Sequence, residues 1–145
     1  MRIISGTAKG TKLYTLDGLE TRPTLDRVKE SLFNIIFNEI TDSTVLDLFS
    51  GSGAIGLEFA SRGAKKVYLC DKSKDACNII KKNIEKTHLE EKVELINSDF
   101  VKAIRDLKNK KIDIVYLDPP YKTDFIKIAI EELLKTENLT EDTLL

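Results

Sequence analysis

An apolar run cut short by three spaced glycines constrains this chain more than any other feature. Val45-Leu46-Asp47-Leu48-Phe49 reads as a buried strand, and Ser50-Gly51-Ser52-Gly53-Ala54-Ile55-Gly56 follows at once. Gly51, Gly53 and Gly56 fit G-x-G-x-x-G after a strand and before a helix. Glycines in that pattern allow a tight turn and let the backbone come close to a ligand.

The strand-then-helix arrangement repeats. Strand 44–49 leads to a helix over about 54–61, closed by Gly63. Strand 66–70 leads to a helix over about 74–87 with Ser73 as its cap. Strand 93–97 leads to a short helix near 100–107, and strand 112–117 to a helix near 124–135. Such alternation with apolar, β-branched strands predicts a parallel sheet covered on both faces, an α/β fold. Upstream, 2–5 and 11–16 read as two short strands of a hairpin, with Gly6 and Gly10 bracketing the link. A loop opens at Asp17-Gly18 and runs to Arg22-Pro23-Thr24, where Thr24 is placed to cap a helix over about 25–40. Val28, Leu32, Ile35, Ile36 and Ile40 share helical spacing there, and Phe33 and Phe37 widen the predicted core face.

The 145 residues fit one domain with one sizeable core. It divides into an N-terminal extension, 1–24, and a Rossmann-like core, 25–145. Thr143-Leu144-Leu145 reads as the start of a fifth strand. Four parallel strands would leave an apolar edge exposed, so the core is expected to be truncated, with strands to follow Leu145. No apolar run approaches the ~18 residues that span a bilayer, and the first residues carry no secretory apolar segment. Cys70 and Cys77 form no metal-ligand or disulfide pattern and read as buried free thiols. The expected setting is the cytoplasm.

Net charge is −1, but it is unevenly placed. Residues 131–145 hold five acids and one base, a net −4 that leaves +3 for the rest. Arg2, Lys9 and Lys12 occur before any acid, and Arg22, Arg27 and Lys29 follow. This is either a footprint for phosphates or a solvated surface.

Asp71 ends the second strand, twenty residues after Gly51. An acid there accepts bonds from ribose hydroxyls, or serves only as a helix-start acid. Two cofactor types share this layout. A dinucleotide needs the helix N-terminus for its pyrophosphate. S-adenosylmethionine has no phosphate, and Asp47, just below the loop, favours it by repelling a pyrophosphate. Asp47 is otherwise a brace for the loop. Ser98-Asp99-Phe100 offers an acid for an adenine amine with a ring beside it, or a plain helix cap.

The fourth strand ends in Asp118-Pro119-Pro120-Tyr121. An acid, two stiff prolines and an aromatic make a rigid lip with an acceptor and a stacking face, suited to a flat amine. Tyr14, Tyr68 and Tyr116 fall inside strands and read as packing. His88, near a helix end, reads as a surface or capping residue.

The order of D-L-F-S-G-S-G-x-x-G, a ribose-binding acid and D-P-P-Y resembles the class I, adenosylmethionine-dependent amino-methyltransferases. Arg2-Ile3-Ile4-Ser5-Gly6, the run from Thr21-Arg22-Pro23-Thr24 to Phe33-Asn34-Ile35, and Leu46 to Gly56 resemble the RsmD family more narrowly. The likeness runs from Arg2 to about Leu134. That family methylates the N2 amine of a guanine in 16S ribosomal RNA. The resemblance implies a three-layer methyltransferase fold and S-adenosylmethionine as cofactor. It also implies a monomer acting on 16S rRNA or the small subunit, without membrane or metal. Gly51, Gly53 and Gly56 would shape the cofactor loop, Asp71 hold the ribose and Asp99 the adenine. Thr24, Asp47, Phe49, Lys72 and Phe100 would complete the cofactor site. Arg22, Pro23 and Thr24 would lie over its entrance, with Arg2, Lys9, Arg22 and Arg27 on the RNA backbone. Asp118 and the Pro119 carbonyl would accept the amine N–H bonds, with Pro120 stiffening the lip and Tyr121 stacking on the base. The family carries further strands after the position of Leu145, and relatives are richer in arginine early in the chain. The alternatives are a DNA adenine-N6 methyltransferase, an NAD-binding Rossmann domain and a non-catalytic nucleic-acid-binding module.

Overall fold

Four apolar runs become strands β1 (Thr44–Asp47), β2 (Lys66–Asp71), β3 (Val93–Asn97) and β4 (Ile114–Tyr116) in the computed structural model. The structure describes residues 1–15, 23–120 and 123–145, with the side chains of 23–25 excepted. All pairings are parallel and the strand order is β3-β2-β1-β4. Val45 lies between Val67 and Ile114, and Leu46 between Tyr68 and Val115. Leu144 makes a further parallel bridge to Ile114, through Val115 N–H to Leu144 O at 2.8 Å and Leu144 N–H to Asp113 O at 2.9 Å.

Side chains alternate across the sheet and so feed two cores. Val45, Val67, Leu69 and Ile114 pack with Phe33, Leu57, Phe59 and Ile80 on one face. Leu46, Tyr68, Cys70 and Val115 pack with Ile104, Leu107, Ala129 and Leu133 on the other. Helices α1 (Pro23–Ile35), α2 (Ala54–Ser61) and α3 (Lys74–Thr87) cover the first face. Helices α4 (Phe100–Asp106) and α5 (Phe125–Lys135) cover the second. This is the three-layer α/β sandwich that the alternation predicts.

Capping explains why α3 has the bounds its sequence predicts. Ser73 Oγ accepts from Ala76 N–H at 3.2 Å, and His88 ends the helix with a left-handed φ of 58°. Helix α1 differs. It starts at Pro23, whose missing N–H costs nothing in a first turn, so Thr24 lies inside the helix and is not its cap. It stops at Ile35, and only a short 3-10 turn, Phe37–Glu39, follows.

The predicted apolar face of α1 is also only partly correct. Val28, Ile35 and Phe37 are 61%, 82% and 68% exposed, while Phe33 and Ile40 are buried. The helix instead turns Lys29 inward, one turn from Phe33. Lys29 Nζ lies 2.9 Å from Glu58 Oε1 and donates to Arg2 O at 3.0 Å. Glu58 also accepts from Arg62 Nε at 2.7 Å and from the N–H groups of Ile4 and Ser5 at 2.9 and 3.1 Å. Burial pushes the Glu58 carboxyl up, but Lys29, Arg62 and the Ile4 N–H outweigh it and hold it below the ordinary value. Burial lowers Lys29 despite that same partner. A charged residue thus takes a core position because its counter-ion waits there.

The N-terminal hairpin is reduced to one antiparallel bridge, Arg2 to Lys12. Ile3 N–H donates to Thr11 O at 2.9 Å and Gly10 N–H to Ile3 O at 2.8 Å. The segment is also held by docking on α2. Thr7 N–H donates to Ser61 O, and Ser61 Oγ accepts from Ala8 N–H and donates to Ser5 O. Gly6 has φ 91°, and a Cβ there would overlap the Ser61 carbonyl oxygen, so only glycine fits. Ile3, Ala8 and Leu13 join the first core. Tyr14 lies past the pairing and is not packing: its ring is 49% exposed under Lys86 Nζ, 4.7 Å from the centroid. Tyr68 is buried and Tyr116 half-buried, and both thiols are free and buried.

Candidate active site at the carboxyl ends of the strands

The strand order reverses between β1 and β4, and such a switch point leaves a crevice at the carboxyl ends of the strands. A cavity of about 490 Å³ lies there. Every strand contributes the residues that follow it: Leu48, Phe49 and Gly51 after β1, and Asp71 and Lys72 from β2. Ser98, Asp99 and Phe100 follow β3, and Asp118, Pro119 and Pro120 follow β4. The volume lies within the range of small-molecule and cofactor sites.

The glycine turn is built by left-handed backbone. Gly51 and Gly53 have φ of 59° and 84°. A Cβ at Gly51 would meet nothing within 4 Å, so this glycine faces open space, as a close ligand approach requires. Gly53 precedes α2, and its carbonyl accepts from Leu57 N–H. Gly56 serves packing: a Cβ there would collide with Leu69 of β2. Neither Gly53 nor Gly56 lines the cavity.

Asp71 Oδ2 accepts from Gly51 N–H at 3.0 Å and Oδ1 from Ser73 N–H at 2.9 Å. A carboxylate has about four acceptor positions, so bracing the turn leaves capacity for ligand hydroxyls. Asp99 likewise has both roles, lining the cavity and capping α4 through Lys102 N–H at 3.1 Å.

Asp47 lies beneath the turn, fully buried and outside the cavity lining, with no hydrogen-bond partner for Oδ1. Burial raises its pKa to about 7, against the pull of the Phe49 and Gly56 amides and the Ser50 hydroxyl. Asp47 is therefore an acid under the loop and not a wall of the cavity.

Three phenyl rings make the apolar wall. Phe49 and Phe125 stack with 2° between planes and 6.0 Å between centroids, and Phe100 tilts against them at 5.2 and 4.9 Å. Phe125 had no distinguishing signal in sequence beyond its place at the start of a helix. Leu48 and Ser98 complete the lining.

Arg2, Lys9 and Arg27 are exposed and outside the cavity lining. Arg27 borders instead a shallow surface with Val28, Ser31, Leu32 and Ile35. Arg22 and Tyr121, and the side chains of Pro23 and Thr24, lie outside the described residues.

The donor set discriminates between ligands. Asp71, Asp99 and Asp118 surround the cavity, and Lys72 is its one base among the described lining residues. Carboxylates at this density repel a pyrophosphate and favour a cationic ligand with hydroxyl and amine donors. S-adenosylmethionine has that character, with sulfonium, ammonium, ribose hydroxyls and an adenine that an aromatic wall suits.

Comparison with known proteins agrees. A family model described as conserved hypothetical protein 95 matches residues 1–145. The Ribosomal RNA small subunit methyltransferase D of Haemophilus influenzae is 38% identical over 147 residues, covering 100% of this chain and 76% of its own. The chain belongs to the RsmD family of methyltransferases. The solved structure of Escherichia coli yhhF superposes on this RsmD-family chain with a TM-score of 0.80 at 32% identity. That match covers 100% of this chain and 76% of the other. A SAM-dependent methyltransferase from Agrobacterium tumefaciens shares the fold, with a TM-score of 0.69 at 24% identity over 87% of this chain and 44% of its own. Among the described residues no helix is long and apolar enough to cross a membrane.

Proposed function

We propose that this chain transfers a methyl group from S-adenosylmethionine to the exocyclic N2 amine of a guanine in 16S ribosomal RNA, as a cytoplasmic monomer. The observation that carries the proposal is one cavity lined by Gly51, Asp71, Asp99 and the Asp118-Pro119-Pro120 lip. When bound, S-adenosylmethionine supplies an electrophilic methyl on a cationic sulfur, so the cofactor carries the hard chemistry. Asp71 holds the ribose hydroxyls, Asp99 the adenine amine, and Phe49, Phe100 and Phe125 exclude water from the adenine.

The chain's remaining task is to prepare a poor nucleophile. The lone pair of a guanine amine is spread into its ring. Asp118 accepts one amine N–H and the Pro119 carbonyl the other, which localises the lone pair and aims it. Two prolines hold that carbonyl at the rim with little backbone freedom. Such positioning is worth up to ~7–11 kcal/mol in favourable cases. Asp118 is exposed, so it can meet a base flipped out of its stack, which Tyr121 then supports. Its carboxylate also takes the proton that the amine releases.

Labelled-methyl transfer to naked RNA, assembled small subunits and DNA tests this. Label on a guanine of RNA or subunits is expected. Label only on DNA adenine would replace the proposal. Calorimetry that finds NAD and not S-adenosylhomocysteine bound would remove it.

A further inference from the structure

We infer that Asn83 is a positioning residue that ties the N-terminal arm to the glycine turn, so that arm order and cofactor binding are linked. The inference rests on the proposed reading that this turn holds S-adenosylmethionine. Asn83 projects from α3 and is 0% exposed. Its Oδ1 accepts from Tyr14 N–H at 2.7 Å, and its Nδ2 donates to Tyr14 O and to Ser52 O, both at 2.9 Å. The amide orientation is dictated by its surroundings, since one donor and two carbonyls face it.

Ser52 sits between two glycines with positive φ, a conformation that the flanking strand and helix do not impose on it. The turn closes on itself through Gly53 N–H to Ser50 O at 2.8 Å, and bonds from outside hold it in place. Asp71 supplies one at Gly51 N–H, from β2. Asn83 supplies another at Ser52 O, and it alone of the two also grips the arm. By meeting both the N–H and the O of Tyr14, the side chain acts as a one-residue strand partner directly after the arm's own pairing, whose last bond is Leu13 N–H to Met1 O at 2.8 Å. Ordering the turn around a ligand holds Asn83 in place, and a fixed Asn83 holds the arm.

Asn83→Asp keeps the shape but sets an acceptor against two carbonyls. Ser61→Ala is the control, since Ser61 grips the arm at Ser5 and Ala8 and does not touch the turn. Calorimetry with S-adenosylhomocysteine is expected to show about tenfold weaker binding for Asn83→Asp, with Ser61→Ala within twofold of wild type. Limited trypsin digestion after Lys9 and Lys12 reads the arm. S-adenosylhomocysteine should slow that cleavage in wild type and in Ser61→Ala, and leave it unchanged in Asn83→Asp. If Asn83→Asp fails to fold by circular dichroism, Asn83→Ala, in which water can replace the amide, is measured in the same way. A folded variant with wild-type affinity, or with ligand-dependent protection of the arm, overturns the link while leaving the proposed function intact. A wild-type protein that does not bind S-adenosylhomocysteine removes the cofactor reading itself, and the link with it.

Discussion

Asp71 Oδ2 takes a hydrogen bond from the Gly51 amide at 3.0 Å, so the acid that ends β2 shapes the turn that ends β1. The contact joins residues that the sequence reading assigns separately, one to ribose and one to the loop. Asp71→Ala should thus remove a brace and a ligand acceptor together. Affinity for S-adenosylhomocysteine should fall at least tenfold, with about 1–2 kcal/mol lost from stability. Asp71→Asn, which keeps the Oδ1 acceptor, should lose less; equal losses in both would assign Asp71 to charge alone.

The glycines should separate by function. Gly51→Ala places a methyl in open space at positive φ, at a strain of about 1–2 kcal/mol, and should cost ligand affinity more than stability. Gly56→Ala drives a methyl into Leu69 and should cost stability first, about 1–3 kcal/mol. Urea melts beside calorimetry measure both. A Gly56→Ala protein as stable as wild type would contradict the packing role.

Asp118→Ala should bind S-adenosylhomocysteine normally and lose methyl transfer by 100-fold or more, since ~1.4 kcal/mol is tenfold in rate. Near-normal turnover would take Asp118 out of the mechanism.

Removing Glu58 should destabilise without touching the cavity. Glu58→Gln leaves Lys29 buried without a carboxylate, at a cost of about 3–5 kcal/mol. The melting temperature is the measurement; a shift of a degree or two would mean that Lys29 finds another partner.

Asp47 predicts an unusual pH dependence. Its folded pKa, about 7, lies above the ordinary 3.8, so the folded state holds the proton longer than the unfolded chain. Below about pH 4 both states are protonated and nothing is lost. As pH rises from about 4 to 7 the unfolded chain gains by ionising, so stability falls at up to about 1.36 kcal/mol per unit, about 4 kcal/mol in all, and levels off once the folded carboxyl ionises as well. Asp47→Asn should match wild type near pH 4 and exceed it at pH 8. Parallel stability curves for the two proteins would show that the buried carboxyl is compensated.

Helices α2 and α3 match their predicted bounds because their signals are local: a glycine turn before one, Ser73 before the other, apolar spacing within. The glycine turn and the Asp118-Pro119-Pro120 lip were legible for the same reason, since backbone freedom and stiffness are properties of single residues. The face that helix α1 buries is not legible in this way, because its burial is settled by Glu58, 29 positions after Lys29. Spacing along one helix carries no trace of a counter-ion on another. Asn83 is inconspicuous for the same reason, an ordinary polar residue in an amphipathic helix.

The chain's own order of residues determined the alternation of strands and helices, the glycine turn after β1 and the acids at each strand end. Packing alone decided that those ends meet in one cavity, that Phe125 completes its wall, that Lys29 lies inside and Tyr14 outside. Local preference acts over a few residues, whereas burial and charge pairing depend on partners brought together only when the sheet closes.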